Sequence, residues 1–159
     1  IKMVKDKVNL PVLRKDFIID PWQIKESRAL GADCILLIMA ALTIDEAKLL
    51  ENEAYNYDMD VLVETHTYEE IIMANKLKTS LVGINNRNLK TMEVDINNTI
   101  NLKKHIDTDK LIVAESGLKN HQDLIMLKEN SVNIFLIGES LMKKPDVTSA
   151  TKEILGVKN

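Results

Sequence analysis

Six short apolar runs, nearly all ending against a polar residue or glycine, constrain this chain more than any other feature. They lie at 11–14, 34–39, 61–63, 81–84, 111–114 and 134–137 and are rich in Val, Ile and Leu. Runs this short and this continuously apolar suit parallel strands buried on both faces better than half-exposed antiparallel ones. The segments between them carry helix signals. Asp20 followed by Pro21 supplies an N-cap and a first-turn proline, and Gly31 stops that helix. Thr43 with Glu46, and Thr67 with Glu70, have capping-box spacing. Ile44, Ala47, Leu50 and Ala54 can share one helical face. Asn120 or His121 opens a helix carrying Leu124, Ile125 and Leu127, and Asp146 can cap a last helix through Ile154.

Strand and helix thus alternate six times, at a spacing of roughly 20–30 residues, as in β/α units. An open doubly wound sheet and a (β/α)8 barrel compete for this pattern. The open sheet calls for a glycine-rich phosphate turn after an early strand. The chain has 5 glycines, no GxGxxG and no P-loop.

The residues at the ends of the runs favour the barrel. The runs lead into Lys15, Glu64, Asn85, Glu115 and Gly138, and only 34–39 ends apolar. A charge or amide abutting a buried strand costs free energy unless it is paired or serves a site. One such residue is an ordinary strand end. Four at the same place in successive units describe a ring, and a barrel gathers catalytic groups at its C-terminal mouth in this way. Ser116-Gly117 and Gly138-Glu139-Ser140 come directly after the last two runs. Either turn alone is ordinary, but glycine turns after the last two strands are where a barrel holds phosphate. The expected fold is α/β, about six βα units of a (β/α)8 TIM barrel, with residues 1–159 forming one partial barrel domain.

Composition narrows the function classes. Hydrophobic residues at 45% and charged residues at 28% suit a packed domain, and 21 basic against 24 acidic residues show no nucleic-acid signature. No apolar run approaches the ~20 residues of a membrane span, so neither nucleic acid nor membrane is an expected partner. The single cysteine, Cys34, excludes an internal disulfide and points to a reducing, cytoplasmic setting. The start, Ile1-Lys2-Met3, reads as the interior of a longer chain.

The stretches PVLRKDFIID (11–20), LGADCILLI (30–38), VLVETH (61–66), GINNRNL (83–89), VAESG (113–117) and FLIGESLM (135–142) together closely resemble the indole-3-glycerol phosphate synthase family. They fall in family order and at family spacing over nearly the whole chain. The resemblance implies ring closure, decarboxylation and dehydration of a carboxyphenylamino deoxyribulose phosphate, with no cofactor and no metal. It implies Lys15 as general acid, a role that suits an amine protonated at neutral pH, and Glu64 as general base. It places Asn85 and Glu115 against substrate hydroxyls and Arg87 near the anthranilate carboxylate. Phe17, Leu36 and Leu89 would form an apolar slot for the ring, and Ser116, Gly117, Gly138 and Glu139 would hold phosphate. Glu139 stands where serine is common, and a carboxylate cannot face a phosphate favourably, so only its backbone N–H is expected to serve. The resemblance further implies that the six runs are strands three to eight. A Glu-x-Lys pair on the family's first strand has no counterpart here, so the chain alone is expected to be inactive.

His66 lies two residues after Glu64, yet no second ligand lies at zinc-like spacing, so it is expected to be a loop histidine. His105 and His121 read as surface or capping residues, Cys34 as an inert core thiol, and Lys143-Lys144 as a solvated face. Two rival readings stand beside the synthase: phosphoribosylanthranilate isomerase, and a non-catalytic partial barrel. With six strands, the first and last should be open edges suited to self-association or to a complementary N-terminal piece.

Overall fold

The computed structural model describes residues 1–157. Among these residues six parallel strands form one sheet in chain order: β1 Leu13–Arg14, β2 Cys34–Ile38, β3 Asp60–Thr65, β4 Leu81–Asn85, β5 Leu111–Glu115 and β6 Ile134–Leu136. Every neighbour pair is parallel and the order never reverses. A doubly wound sheet reverses at a switch point, whereas a barrel advances one strand at a time in one direction. The fold is therefore part of a (β/α) barrel. β1 and β6 each have a single strand partner, so the sheet does not close among the described residues.

Among the described residues, eight α-helices alternate with or flank the strands: α1 Lys2–Lys5, α2 Pro21–Ala29, α3 Ile44–Asn56, α4 Tyr68–Ala74, α5 Asn97–Leu102, α6 His121–Glu129, α7 Glu139–Met142 and α8 Val147–Leu155. The caps explain their starts. Asp20 accepts from Trp22 N at 2.7 Å, and Gln23 closes a box that its sequence spacing had not marked. Thr43 and Glu46 form the expected box; Asn120, one of two expected openings of α6, forms another with Asp123. Thr67 forms only half of one. It accepts from Glu70 N, but the Glu70 carboxylate accepts from His66 N at 2.6 Å instead of from Thr67. Gly31 ends α2 and Gly156 ends α8, both in the left-handed conformation glycine adopts without strain.

Side-chain alternation divides the sheet into two faces. On the outer face Ile35, Leu37, Val61, Val63, Val82 and Ile84 join Ile24 of α2, Leu50 of α3 and Ile71 of α4 in the largest core cluster. A second cluster packs Ala114 of β5 against Leu124 and Leu127 of α6 and Ile154 of α8. The inner face holds a thinner layer, with Leu36, Ile38, Leu62 and Val113 buried.

Two strands are shorter than expected. The run 11–14 pairs only at Leu13–Arg14, because Val12 is tied to the Asp33 loop: its N–H donates to Asp33 Oδ2 at 2.7 Å and its carbonyl accepts from Asp33 N at 2.9 Å. The run 134–137 ends at Leu136, where the chain turns toward α7.

Candidate functional site

Register sets the site. Ile38 pairs with Glu64, Glu64 with Gly83, and Asn85 with Glu115. Counting by twos from the inner-face residues Leu62 and Val113 reaches Glu64 and Glu115, and the same parity carries Leu13 to Lys15. The polar residues at the strand ends therefore share the inner face at one end of the sheet.

Glu64 is the hub. Its Oε2 accepts from Lys15 Nζ at 3.3 Å and its Oε1 accepts from Asn85 Nδ2 at 2.9 Å. His66 Nε2 lies 3.1 Å from the same Oε1, close enough for ion pairing but off the line of a hydrogen bond. Burial alone would raise the Glu64 pKa, but His66, Asn85, Glu115 and Lys15 more than offset it and hold the carboxyl below its usual range. Asn85 also accepts from Arg87 N at 2.9 Å, which fixes the chain leaving β4.

Glu115 has the opposite environment. It is 1% exposed and neither carboxyl oxygen has a hydrogen-bond partner. Burial first, and the adjacent Glu64 charge second, push its pKa up. Gly83 makes room for this carboxyl: a Cβ there would sit 1.9 Å from Glu115 Oε1. Two buried carboxyls thus meet at the mouth in different states, the partnered one ionised and the unpartnered one holding a proton.

An open cavity of about 800 Å³ adjoins them, lined by Lys15, Arg87, Glu115, Ser116, Gly117, Gly138 and Glu139 among others. The structure thus brings together seven residues singled out in the sequence. Ser116 and Gly117 both have positive φ, a conformation costly for serine that marks a constrained turn. Asn86, not singled out, latches that turn by donating to Ser116 O at 3.1 Å while accepting from Thr99 N and Oγ1 of α5. Lys119, Ser140, Lys143 and Lys144 also line the cavity, so Lys143-Lys144 are more than a solvated face.

Three expected positions fall elsewhere. Leu36 is fully buried in the inner layer beneath the mouth, while Phe17 and Leu89 are 61% and 43% exposed. The three do not form a slot and none lines the cavity. Leu36 lies one inward step short of the strand end. Leu89 sits in an outward turn held by Asn88 Oδ1, which accepts from Lys90 N and Thr91 N. Arg87 donates to the Glu139 carboxylate, and Lys143 Nζ donates to the same group at 2.5 Å. The Glu139 side chain therefore has a contact of its own.

His66 departs most from its expectation. It is on a loop, but its side chain is only 9% exposed and lies between Glu64 and Glu70. The signal available was VETHTYEE itself, with a histidine two residues after one carboxylate and four before another. Among the described residues no group of acidic, His or Cys side chains is arranged to hold a metal. His121 takes its expected capping place, with Nδ1 3.0 Å from Ile154 O, and His105 stacks edge-on against Tyr68. Burial pushes the Cys34 thiol up to about 11, which keeps it unreactive at neutral pH.

Fold and site together define a β/α-barrel protein whose charged strand ends face a cavity flanked by two tight turns. The chain matches the family model described as indole-3-glycerol phosphate synthase over residues 1–154. A protein of that name from Azospirillum brasilense is 54% identical over 148 residues, 93% of this chain and 56% of the relative. Another from Acinetobacter baylyi is 46% identical over 158 residues, 99% of this chain and 59% of the relative. Among solved structures, a mandelate oxidase mutant with an FMN adduct aligns at TM-score 0.70 and 12% identity, covering 98% of this chain and 55% of that one, a likeness of fold alone. The chain belongs to the indole-3-glycerol phosphate synthase family, and it spans somewhat over half the length of these relatives.

Proposed function

We propose that this chain supplies the C-terminal six βα units of an indole-3-glycerol phosphate synthase, a carboxy-lyase working in the cytoplasm on a phosphorylated small molecule. The observation that carries the reading is the convergence of Lys15, Glu64, Asn85 and Glu115 on one end of the inner face, beside the cavity. Lys15 is 53% exposed at the side chain, so its ammonium can turn from Glu64 to a substrate carbonyl. It would donate the proton that lets the anthranilate ring carbon close on that carbonyl. Loss of carbon dioxide from that carbon then returns the C–C bonding pair to the six-membered ring and restores its aromaticity, and dehydration of the new five-membered ring completes the indole. Glu64, held ionised, is the base of this reading and also accepts from Lys15 Nζ. The phosphate would be held by the backbone of Ser116-Gly117 and of Gly138-Glu139. The Glu139 carboxylate would turn aside onto Arg87 and Lys143.

Because the family's first-strand Glu-x-Lys pair has no counterpart in these 159 residues, turnover on this reading needs further βα units. The test combines the chain with a polypeptide carrying the first two βα units of a relative. Indole fluorescence then tracks conversion of the carboxyphenylamino deoxyribulose phosphate. Product is expected only from the combination, and Lys15→Ala is expected to lower its rate ~100–10,000-fold. Product formed equally well by the Lys15→Ala combination would remove Lys15 from the chemistry.

A second reading rests on the open edges of β1 and β6, where unpaired backbone groups invite strand pairing with a second copy or a complementary piece. Sedimentation of the chain alone tests it, with association expected. A monomer with cooperative unfolding would refute edge pairing.

A further inference from the structure

His66 sits where β3 ends, and three contacts hold it. Its backbone N–H donates to Glu70 Oε2 at 2.6 Å, its Nδ1 lies 3.1 Å from that same oxygen, and its carbonyl accepts from Asn98 Nδ2 at 3.3 Å. Glu70 is itself fixed, because its own N–H is capped by Thr67 Oγ1 at the start of α4. On the far side of the ring Nε2 faces Glu64 Oε1 at 3.1 Å. A ring wedged between two carboxylates and shielded from water has a clear electrostatic preference. A neutral imidazole carries one N–H and would turn a lone pair toward one of the two anions. An imidazolium donates from Nδ1 to Glu70 and sets its positive charge against Glu64.

We propose that His66 is a positioning residue for Glu64: clamped by Glu70 as an imidazolium, it keeps the Glu64 carboxylate ionised and aimed at Lys15 and Asn85. This deepens the synthase reading, since it rests on the mouth being the reacting site. The cationic ring supplies the second charge that a carboxylate 2% exposed requires, because Lys15 alone is half in solvent. Its pKa accords with the geometry. Burial would lower it, but Glu64 and Glu70 together raise it to about 9. The charged and titratable groups near the ring are Glu64 and Glu70 in contact, with Glu115 and Lys15 beyond Glu64. With Glu64 held ionised, the proton that the two buried carboxyls share stays on Glu115, the one that lines the cavity.

The 159-residue chain tests this without turnover. Long-range proton–nitrogen NMR spectra report the protonation of each of its 3 histidine rings, assigned by single substitutions. The His66 ring is expected to carry protons on both nitrogens at neutral pH and to titrate near pH 9. Glu70→Gln, which leaves the ring in place, should lower that midpoint by a unit or more, toward the ordinary 6.5. His66→Gln preserves a neutral donor but no charge and should raise the Glu64 midpoint, read from its carboxyl carbon shift. A purely structural histidine would leave the Glu64 titration unmoved. The proposal is overturned if His66 titrates at or below 6.5, or if Glu64 titrates alike with and without the imidazolium. Should His66→Gln fail to fold, the Glu70→Gln titration alone decides. None of these readouts depends on synthase activity, so failure of that function and failure of this proposal are separable.

Discussion

The two faces of the sheet are made by the same strands and do opposite things. On the outer face, β2, β3 and β4 present an apolar surface that three helices cover. On the inner face, the same strands present a thin apolar layer and then, at their C-terminal ends, Glu64 and Asn85, joined by Lys15 and Glu115 from strands on either side. The outer face stabilises the chain. The inner ends place buried charge where nothing but other polar groups compensates it, an arrangement that lowers stability in exchange for a site. Alternation alone separates the two, so a one-residue slip would exchange them.

The largest effect should come from the outer face. Leu37, fully buried between sheet and helices, is expected to cost about 2–5 kcal/mol in urea unfolding when changed to Ala, against roughly 0.5 or less for half-exposed Leu111→Ala. A similar small loss at both positions would break the comparison.

Gly83→Ala should come next. The added methyl collides with the Glu115 carboxyl and is expected to lower stability by about 1–3 kcal/mol. Pairing it with Glu115→Ala removes the colliding group, so the double variant should recover most of the loss. If the two losses simply add, Glu115 does not lie over Gly83.

The pH dependence sharpens the same contrast, because two buried carboxyls and an imidazole with shifted titrations gather at the inner ends. Folded His66 holds its proton up to about pH 9, against 6.5 unfolded, so its contribution is whole below 6.5 and lost as pH rises through 9. Glu115, raised above its ordinary 4.5, likewise binds its proton more tightly when folded and loses its contribution as pH rises. Glu64, held below 4.5, contributes fully above that value and loses its share on acidification. Midpoints of urea unfolding should therefore fall across the alkaline range by the equivalent of about 2 kcal/mol. Glu115→Gln should flatten part of that slope, and a flat profile in the unaltered chain would contradict the assignments.

Among the polar residues of the inner mouth, the smallest stability effect should be that of Lys15→Ala. Its ammonium is half exposed, and Glu64 keeps His66 and Asn85 without it, so the cost is expected below about 1 kcal/mol by the same unfolding assay. A much larger loss would make Lys15 a structural member of the inner face.

Much of this architecture was legible in the chain itself. Period and run length marked six strands in nearly their observed places, and caps such as Thr43 with Glu46 and Asn120 marked helix starts. The polar strand ends marked the ring, because a strand's C-terminal residue is identifiable wherever an apolar run stops. The apolar slot was not legible. Phe17, Leu36 and Leu89 carry the right side chains, but whether an apolar group lies under the mouth or out in solvent depends on register and loop path. His66 was undervalued for a related reason. Its neighbour Glu70 also had a capping role to fill, and the sequence could not say that its carboxylate would leave Thr67 for His66.

By itself the sequence determined the alternation of elements, the parallel sheet and the identity of the groups at its end, since these arise from local periodicity and from what an apolar strand excludes. Only the tertiary structure decided which of two similar glutamates is ionised. Glu64 and Glu115 occupy equivalent strand ends, and what divides them is three-dimensional: Lys15 from 49 residues away, Asn85 from 21, the His66 ring folded back by Glu70, and the absent side chain of Gly83 that lets Glu115 lie unpartnered beside them.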